Sequence, residues 1–326
     1  MRPEVLIVGQ GLAGTLLGWE LARAGIPFHV ADAGPAVAAS RAAAGIINPI
    51  TGRRLVKAWR IETLSPAART VFAEIGAVAG RPFWRDFRVR RLFADAGERA
   101  AWAAKSARGE LAPYAGAADA EGFWIEGAAR VDLPALLAWM RAEWLAQGLL
   151  TAGPADPTEA RRRYGLVIDC TGLAAARSGP FAGLPWSFDQ GQMLEVAVAG
   201  LDEDVILNCR HWALPVGPGA AWCGATHAPG ETGTEPTAGA RAQLEIAAQA
   251  LLARPFTVTG QRCGVRVTTP DRRPVAGRHP EDPGLGLCNG LGAKGALFAP
   301  WLARQWREHL VSGAAFDPAA DPRRFV

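Results

Sequence analysis

The stretch "EVLIVGQGLAGTLLGWELARAGIPFHVAD" at residues 4–32 constrains the fold more than any other part of the chain. Val5–Val8 is a short apolar run that reads as a buried strand. Gly9, Gly11 and Gly14 follow as G-x-G-x-x-G, and Leu12 and Ala13 sit inside that loop. Ala13, Leu16, Leu17 and Leu21 then recur at helical spacing, and Gly25 supplies a stop. Phe28–Ala31 reads as a second strand that ends at Asp32. In such a βαβ unit the first glycine permits the tight turn, the second lets a pyrophosphate approach the backbone, and the third lets helix and strand pack closely. The free N–H groups at the helix start attract phosphate. Asp32, 18 residues after Gly14, is placed to accept hydrogen bonds from an adenosine ribose. The opening therefore reads as a dinucleotide site.

A chain of 326 residues suggests two domains, or one large domain with a lobe. Hydrophobic residues make up 49% and charged residues 20%, enough for a sizeable core. Further α/β pieces are visible downstream. Leu136, Leu137, Met140, Trp144 and Leu145 line one face of a helix, with Asp132 as N-cap and Gly148 as C-cap. "GLVIDCTG" at 165–172 reads as a buried strand closing on Thr171 and Gly172. Leu285–Cys288 is the last strand, followed by a second Gly-rich loop, "NGLGAKG", and a helix from Lys294 to Val311 with Pro300 as a kink point. Between these lie alternating segments at 85–95, 190–198, 204–215 and 220–227, a helix at 237–253, and an Ala-rich surface stretch at 96–120. The pattern predicts a discontinuous dinucleotide-binding domain from 1–60, 125–185 and 264–326. A β-rich substrate lobe is then built from 61–124 and 186–263.

The net charge of +4 and pI of about 9.0 do not by themselves indicate nucleic-acid binding. Five cysteines without a C-x-x-C pair suit a reducing, cytoplasmic compartment. No apolar run approaches the ~20 residues of a membrane span, and a strand beginning at Val5 leaves no room for a signal peptide. His29, His211, His227, His279 and His309 form no H-x-x-x-H or H-E-x-x-H pattern, so no metal is expected. Neither a G-x-S-x-G elbow nor a P-loop is present.

Three further segments, in order, carry a resemblance. They are "SRAAAGIINPITGRR" at 40–54, "GVRVTTPDRRPVAG" at 264–277 and "GLGLCNGLGAKGALFAPWLA" at 284–303. Together they resemble the D-amino-acid oxidase and glycine oxidase (DAO) family of FAD enzymes. Gly264, Arg266, Thr268, Asp271, Pro274 and Gly277 carry its late motif, with Val267 where the family usually has proline. Gly290, Gly292, Gly295, Ala299, Pro300, Leu302 and Ala303 continue it. The late segment is similar both to glycine oxidase and to the FAD half of the bifunctional tRNA methylaminomethyl-uridine enzyme.

The resemblance implies an α/β fold: a Rossmann-like, glutathione-reductase-type FAD domain with an inserted antiparallel β-rich domain. It implies FAD bound noncovalently, because the covalent cysteine of some relatives aligns with Gly264 and not with Cys263. The early loop would take the pyrophosphate, and Gly290, Leu291, Gly292, Ala293, Lys294 and Gly295 would meet the flavin ring. Amides at a helix start stabilise negative charge developing at the ring. Lys294 either adds to that charge or points to solvent. Ser40, Arg41, Ala44, Gly45 and Ile46 would pass beside the flavin, with Asn48 reaching the substrate. Arg266 would grip a substrate carboxylate; the alternative is an ion pair with Asp271 or another acid. Trp212 stands where oxidases of the family often carry tyrosine, so it would wall the pocket without a phenol. His211 beside it would be polar lining or an ordinary strand residue.

Arg53, Arg54, Lys57 and Arg60 either attract an anionic substrate or RNA, or form a solvated helix face. The implied reaction is oxidation of a C–N bond in a small amine or amino acid, of glycine, N-substituted glycine or D-amino-acid type, by hydride transfer to flavin N5. The alternatives are a tRNA-modifying oxidase acting on a carboxymethylaminomethyl group, and a flavoprotein dehydrogenase or reductase of another small molecule.

Overall fold

The computed structural model describes residues 4–34 and 38–325. The opening unit folds as its periodicity dictates. Val5–Val8 is a fully buried strand, Leu12–Arg23 a helix and Phe28–Asp32 a second strand, parallel to the first. The sheet built on it has six strands in the order Val275–Arg278, Leu285–Asn289, Leu166–Asp169, Val5–Val8, Phe28–Asp32 and Leu150–Ala152. All neighbours are parallel except Val275–Arg278, which runs antiparallel at one edge. The late helix Gly295–Ser312 lies against the first helix, and Leu302, Ala303 and Trp306 are buried in their shared core. Pro300 is accommodated inside this helix.

The second sheet is larger and mostly antiparallel. Its path runs Ala228–Pro229, Ser187–Ala197, Ala220–Gly224, Trp212–Gly217, Val205–Asn208, Trp84–Leu92, Gly122–Val131 and Ile46–Ile47. Thr257–Thr268 pairs with nearly the whole length of Ser187–Ala197. The sheet curls on itself. Arg262 of Thr257–Thr268 lies 4.2 Å from the ring centre of Trp222, and Arg130 of the distant Gly122–Val131 strand lies 4.9 Å from the same ring.

Several expectations need correction. The segment 204–215 is two strands, Val205–Asn208 and Trp212–Gly217, because the chain reverses where Cys209 N donates to His211 O at 2.8 Å. The Ala-rich 96–120 stretch does lie mostly at the surface, and it carries regular structure: Asp95 caps a helix over Ala96–Ala107 by accepting from Glu98 N, and Ala115–Ala118 is a strand. The basic 53–60 run is no helix face, since Ile50–Thr51 and Val56–Lys57 form a small hairpin with Arg53 and Arg54 exposed at its tip. Residues 61–79, placed by the sequence in the substrate lobe, form the helix Ile61–Ala79. Its Leu64, Ala68, Phe72 and Ile75 enter the core of the six-stranded sheet. The boundaries drawn at 125 and 264 fall inside the strands Gly122–Val131 and Thr257–Thr268 of the curled sheet.

Candidate functional site

The C-terminal ends of the parallel strands Val5–Val8, Phe28–Asp32, Leu166–Asp169 and Leu285–Asn289 gather the first group of candidates, as open α/β sheets do. The fingerprint glycines are required by contact. A Cβ on Gly14 would stand 2.0 Å from Gly9 O, and one on Gly9 would meet Cys170 O at 2.9 Å. Gly9 also sits at φ +97°, which other residues rarely adopt. A Cβ on Gly11 would press on Ser40 Oγ at 3.3 Å. That hydroxyl accepts from Leu12 N at 3.0 Å, so Ser40 is tied to the helix start. The first-turn N–H groups of Ala13 and Gly14 find no acceptor among the described residues, which leaves them to an anion. Asp32 accepts from Gln10 N at 2.9 Å and Gly34 N at 2.8 Å.

Arg141, which sequence reasoning missed, completes this end. Its Nη1 lies 2.6 Å from Asp32 Oδ2 and donates to Gln10 Oε1 at 3.1 Å. The only signal for it was its place on the periodic helix that follows Asp132.

The neighbouring crevice is closed by Thr171, Gly172 and Asn289. Asp169 accepts from Thr171 N at 2.9 Å and from its hydroxyl at 2.7 Å. Burial pushes the Asp169 carboxyl up, and these two bonds oppose the shift. Asn289 Nδ2 donates to Gly172 O at 2.8 Å while its Oδ1 accepts from Gly290 N. The late loop then turns through Gly290 and Gly292, at φ +76° and +54°, and Gly292 N reaches Val267 O at 2.9 Å. The second Gly-rich loop is thereby joined to the strand that carries Arg266. Lys294 is the N-cap of the long helix that follows. It is half-buried, and its ammonium has no hydrogen-bond or ion-pair partner among the described residues. Burial, and then nearby Arg272, lower its pKa.

The segment 39–47 crosses between the two sheets. Its short helix, with Ser40 and Arg41, lies over Gly264, whose Cβ would meet Ala39 Cα at 3.2 Å. Arg41 O accepts from Arg262 Nη1 at 3.3 Å. Ala44 and Ile46 pack on the apolar face of the curled sheet. Gly45, at φ +74°, presses so close to Val131 O that a Cβ would stand 2.0 Å away. Asn48 follows on the same segment, where its Oδ1 caps the local turn by accepting from Ile50 N at 3.2 Å.

On the curled sheet Arg266 lies across Gly191, where any Cβ would stand 2.1 Å from Nη2. Its partner is an acid, but Asp189 and not Asp271: Nη1 to Asp189 Oδ2 is 2.9 Å. Asp271 instead accepts from Thr269 Oγ1, Arg273 N and Arg324 Nε. Two longer Arg266 bonds, each 3.3 Å, reach Thr226 O. The same Asp189 carboxylate lies 2.7 Å from His227 Nδ1. Trp212 lies two strands away and packs over Gly224, where a Cβ would meet its ring at 2.7 Å. His211 ends the turn before Trp212, and burial followed by His227 lowers its pKa. Asp189 and His227 were not singled out as a pair from sequence, since 38 residues separate them and only the sheet register joins them.

Cys263 is buried, and its Sγ lies 3.8 Å from Gly233 O. No cluster of three His, Cys, Asp or Glu side chains suited to a metal occurs among the described residues. Nor is any described helix long and apolar enough to cross a membrane.

The crevice, its paired Gly-rich loops and the glycine positions that a side chain would fill define a dinucleotide-binding flavoprotein fold. The chain belongs to the DAO family of FAD-dependent oxidoreductases, whose family model matches residues 4–308. It is 31% identical over 327 residues to the tRNA 5-methylaminomethyl-2-thiouridine biosynthesis bifunctional protein MnmC of Maricaulis maris (strain MCS10), covering 95% of this chain and 52% of that protein. The same-named protein of Caulobacter vibrioides (strain ATCC 19089 / CIP 103742 / CB 15) is 30% identical over 99% of this chain and 56% of its own length. The chain thus spans about half the length of the curated relatives it matches. Among solved structures, iminodiacetate oxidase from Chelativorans sp. BNC1 superposes with a TM-score of 0.78 at 23% identity, covering 98% of this chain and 99% of that one. Glycine oxidase from Geobacillus kaustophilus gives 0.79 at 22% identity, over 97% and 96% of the two chains. This chain is an enzyme of that FAD-dependent class, and FAD is its cofactor.

Proposed function

We propose that this enzyme oxidises the C–N bond of a small amine that carries a carboxylate, of glycine, N-substituted glycine or D-amino-acid type. In this reading the six-stranded sheet holds FAD noncovalently and the curled sheet holds the substrate. Arg141 and Asp32 would serve the adenosine end, the amides of Ala13 and Gly14 the pyrophosphate, and Gly290–Gly295 the ring. FAD supplies a two-electron acceptor; the protein supplies position and charge. The observation that carries the proposal is the guanidinium of Arg266 on the bare backbone of Gly191. Asp189 takes one short bond from Nη1 and Thr226 O takes two long ones. The remaining donors of the fork are left for a substrate carboxylate, which would fix the α-carbon. Trp212 would wall the pocket.

Anaerobic bleaching of the flavin against a panel of amino acids, N-substituted glycines and hydroxy acids tests this directly. Bleaching by the amines and not the hydroxy acids is expected. Arg266→Ala should lower kcat/KM by about 100-fold, the scale of truncating one partner of a buried charged pair. Unchanged turnover of every carboxylate substrate in that variant would remove the clamp.

A second reading rests on the two relatives above and on the exposed tip of the hairpin. There Arg53 and Arg54 have no ion-pair partner among the described residues. By it the same site acts on a carboxymethylaminomethyl group of tRNA. It requires tRNA binding that weakens steeply with salt and is lost in Arg53→Ala/Arg54→Ala.

A further inference from the structure

The site contains a proton-handling pair that hydride transfer alone does not call for. His227 follows the Ala220–Gly224 strand, and its Nδ1 lies 2.7 Å from Asp189 Oδ2. Asp189 is fixed from a second side, since its Oδ1 accepts from Ala228 N at 3.0 Å. Arg266 Nη1 stands 2.9 Å from Asp189 Oδ2 and 3.5 Å from His227 Nδ1. The imidazole side chain is 65% exposed and stands beside the Arg266 guanidinium, so it is open to a proton donor there. A carboxylate accepting from Nδ1–H fixes the tautomer and leaves the Nε2 lone pair free. Among the described residues Nε2 has no partner. The other charged or titratable groups facing this imidazole are Arg266, from the Thr257–Thr268 strand, and His211, from the turn before Trp212.

We propose that His227, oriented by Asp189, is the base that removes a proton from the substrate ammonium before hydride leaves the α-carbon. An alkylammonium has no lone pair to drive the C–H electrons out, so an amine bound as its cation must first be deprotonated. The ammonium N–H bond breaks, its electron pair stays on nitrogen, and the proton goes to Nε2 to give an imidazolium. The freed lone pair is what the C=N bond would need when bound FAD, the two-electron acceptor, takes the α-hydride; water would then hydrolyse the resulting iminium. The imidazolium stays beside Asp189, which offsets its charge.

This inference rests on the amine reading above, and one experiment separates the two. Holoenzyme is mixed anaerobically with glycine, N-methylglycine and iminodiacetate across pH, and flavin reduction is followed for wild type, His227→Gln and His227→Ala. Expected are an ascending limb in the wild-type profile and a loss of about 100-fold in reduction rate for His227→Gln. That limb should shift to higher pH in the variant, and added imidazole should rescue His227→Ala. Binding of methoxyacetate, a carboxylate without an ammonium, is read from the flavin spectrum and should stay within twofold in His227→Gln. Wild-type reduction rate and pH profile in His227→Gln would overturn the inference alone. So would a parallel collapse of methoxyacetate binding, because His227 would then only shape the carboxylate pocket. Failure of all three amines to bleach the wild type would overturn the amine reading and the inference with it.

Discussion

At the scale of single residues, close contact decides what can stand in the crevice. Gly14 has no room for a methyl group against Gly9 O, so Gly14→Ala must lift the helix off its strand or distort the loop. The expected protein is destabilised by about 1–3 kcal/mol in urea titration and is purified without its yellow cofactor. Lys294 presents a different kind of strain. Its ammonium is half-buried, lacks an anionic partner, and burial lowers its pKa. The native state therefore binds fewer protons than the unfolded chain between the lowered value and the ordinary lysine value, and stability rises with pH across that window. Below the window the buried charge is a cost carried in full. Lys294→Met should raise the Tm of apoprotein at neutral pH by roughly 1–3 °C, and the gain should shrink as pH climbs toward the lysine range. The same variant should weaken sulfite binding to the flavin, if the charge serves the ring. A variant that leaves sulfite affinity unchanged would place Lys294 outside the ring's field. The fingerprint glycines were legible because backbone geometry restricts them locally. Asp189 was not, because nothing in its own neighbourhood marks an acid that will meet an arginine 77 residues away.

At the scale of elements, periodicity located what was amphipathic and bounded by caps. The helix Leu133–Ala146, capped by Asp132, and the helix Ala238–Leu252, capped by Thr237, lie close to where their patterns put them. The helix Ile61–Ala79 carries Pro66 in its body, a residue that weakens a helical pattern read from sequence. It tolerates the proline within its second turn, and its apolar face, Leu64, Ala68, Phe72 and Ile75, decides the matter by burial. Phe72 has 0% exposure, so Phe72→Ala should cost about 3–5 kcal/mol, read as a shift in urea midpoint at unchanged slope. The helix Leu133–Ala146 also has a task beyond packing, since it delivers Arg141 to Asp32. Arg141→Ala should leave the fold intact and weaken FAD binding by about tenfold, measured by flavin fluorescence on dilution. Retention of wild-type affinity would make the pair structural only. The short strands escaped for the opposite reason. Two-residue pairings such as Ile46–Ile47 have no period to detect and exist only through a partner strand.

At the scale of the whole molecule, the two sheets share a core through Ile47, Ala129 and Val131, and the segment 39–47 runs along that junction. Its helix rests on Gly264 of the curled sheet, while Ser40 is bonded to Leu12 N at the start of the first helix. Gly45 then lies against Val131 O, and Ile46 joins the curled sheet's far edge. A cofactor lying along this segment touches both sheets, so its binding energy is shared between them. A ligand that binds only the native state stabilises it by RT ln(1 + [L]/Kd), about 2.7 kcal/mol at a hundredfold excess over Kd. Saturating FAD should therefore raise a single, shared unfolding transition and not that of one sheet alone. Gly264→Val tests the coupling, because its side chain would drive the short helix off the strand while leaving the fingerprint glycines untouched. Calorimetry of that variant should show a reduced response of Tm to FAD. The curled-sheet and six-stranded-sheet transitions should then separate. A single transition with the full FAD response would mean that the sheets are held together elsewhere, through the late loop where Gly292 N meets Val267 O.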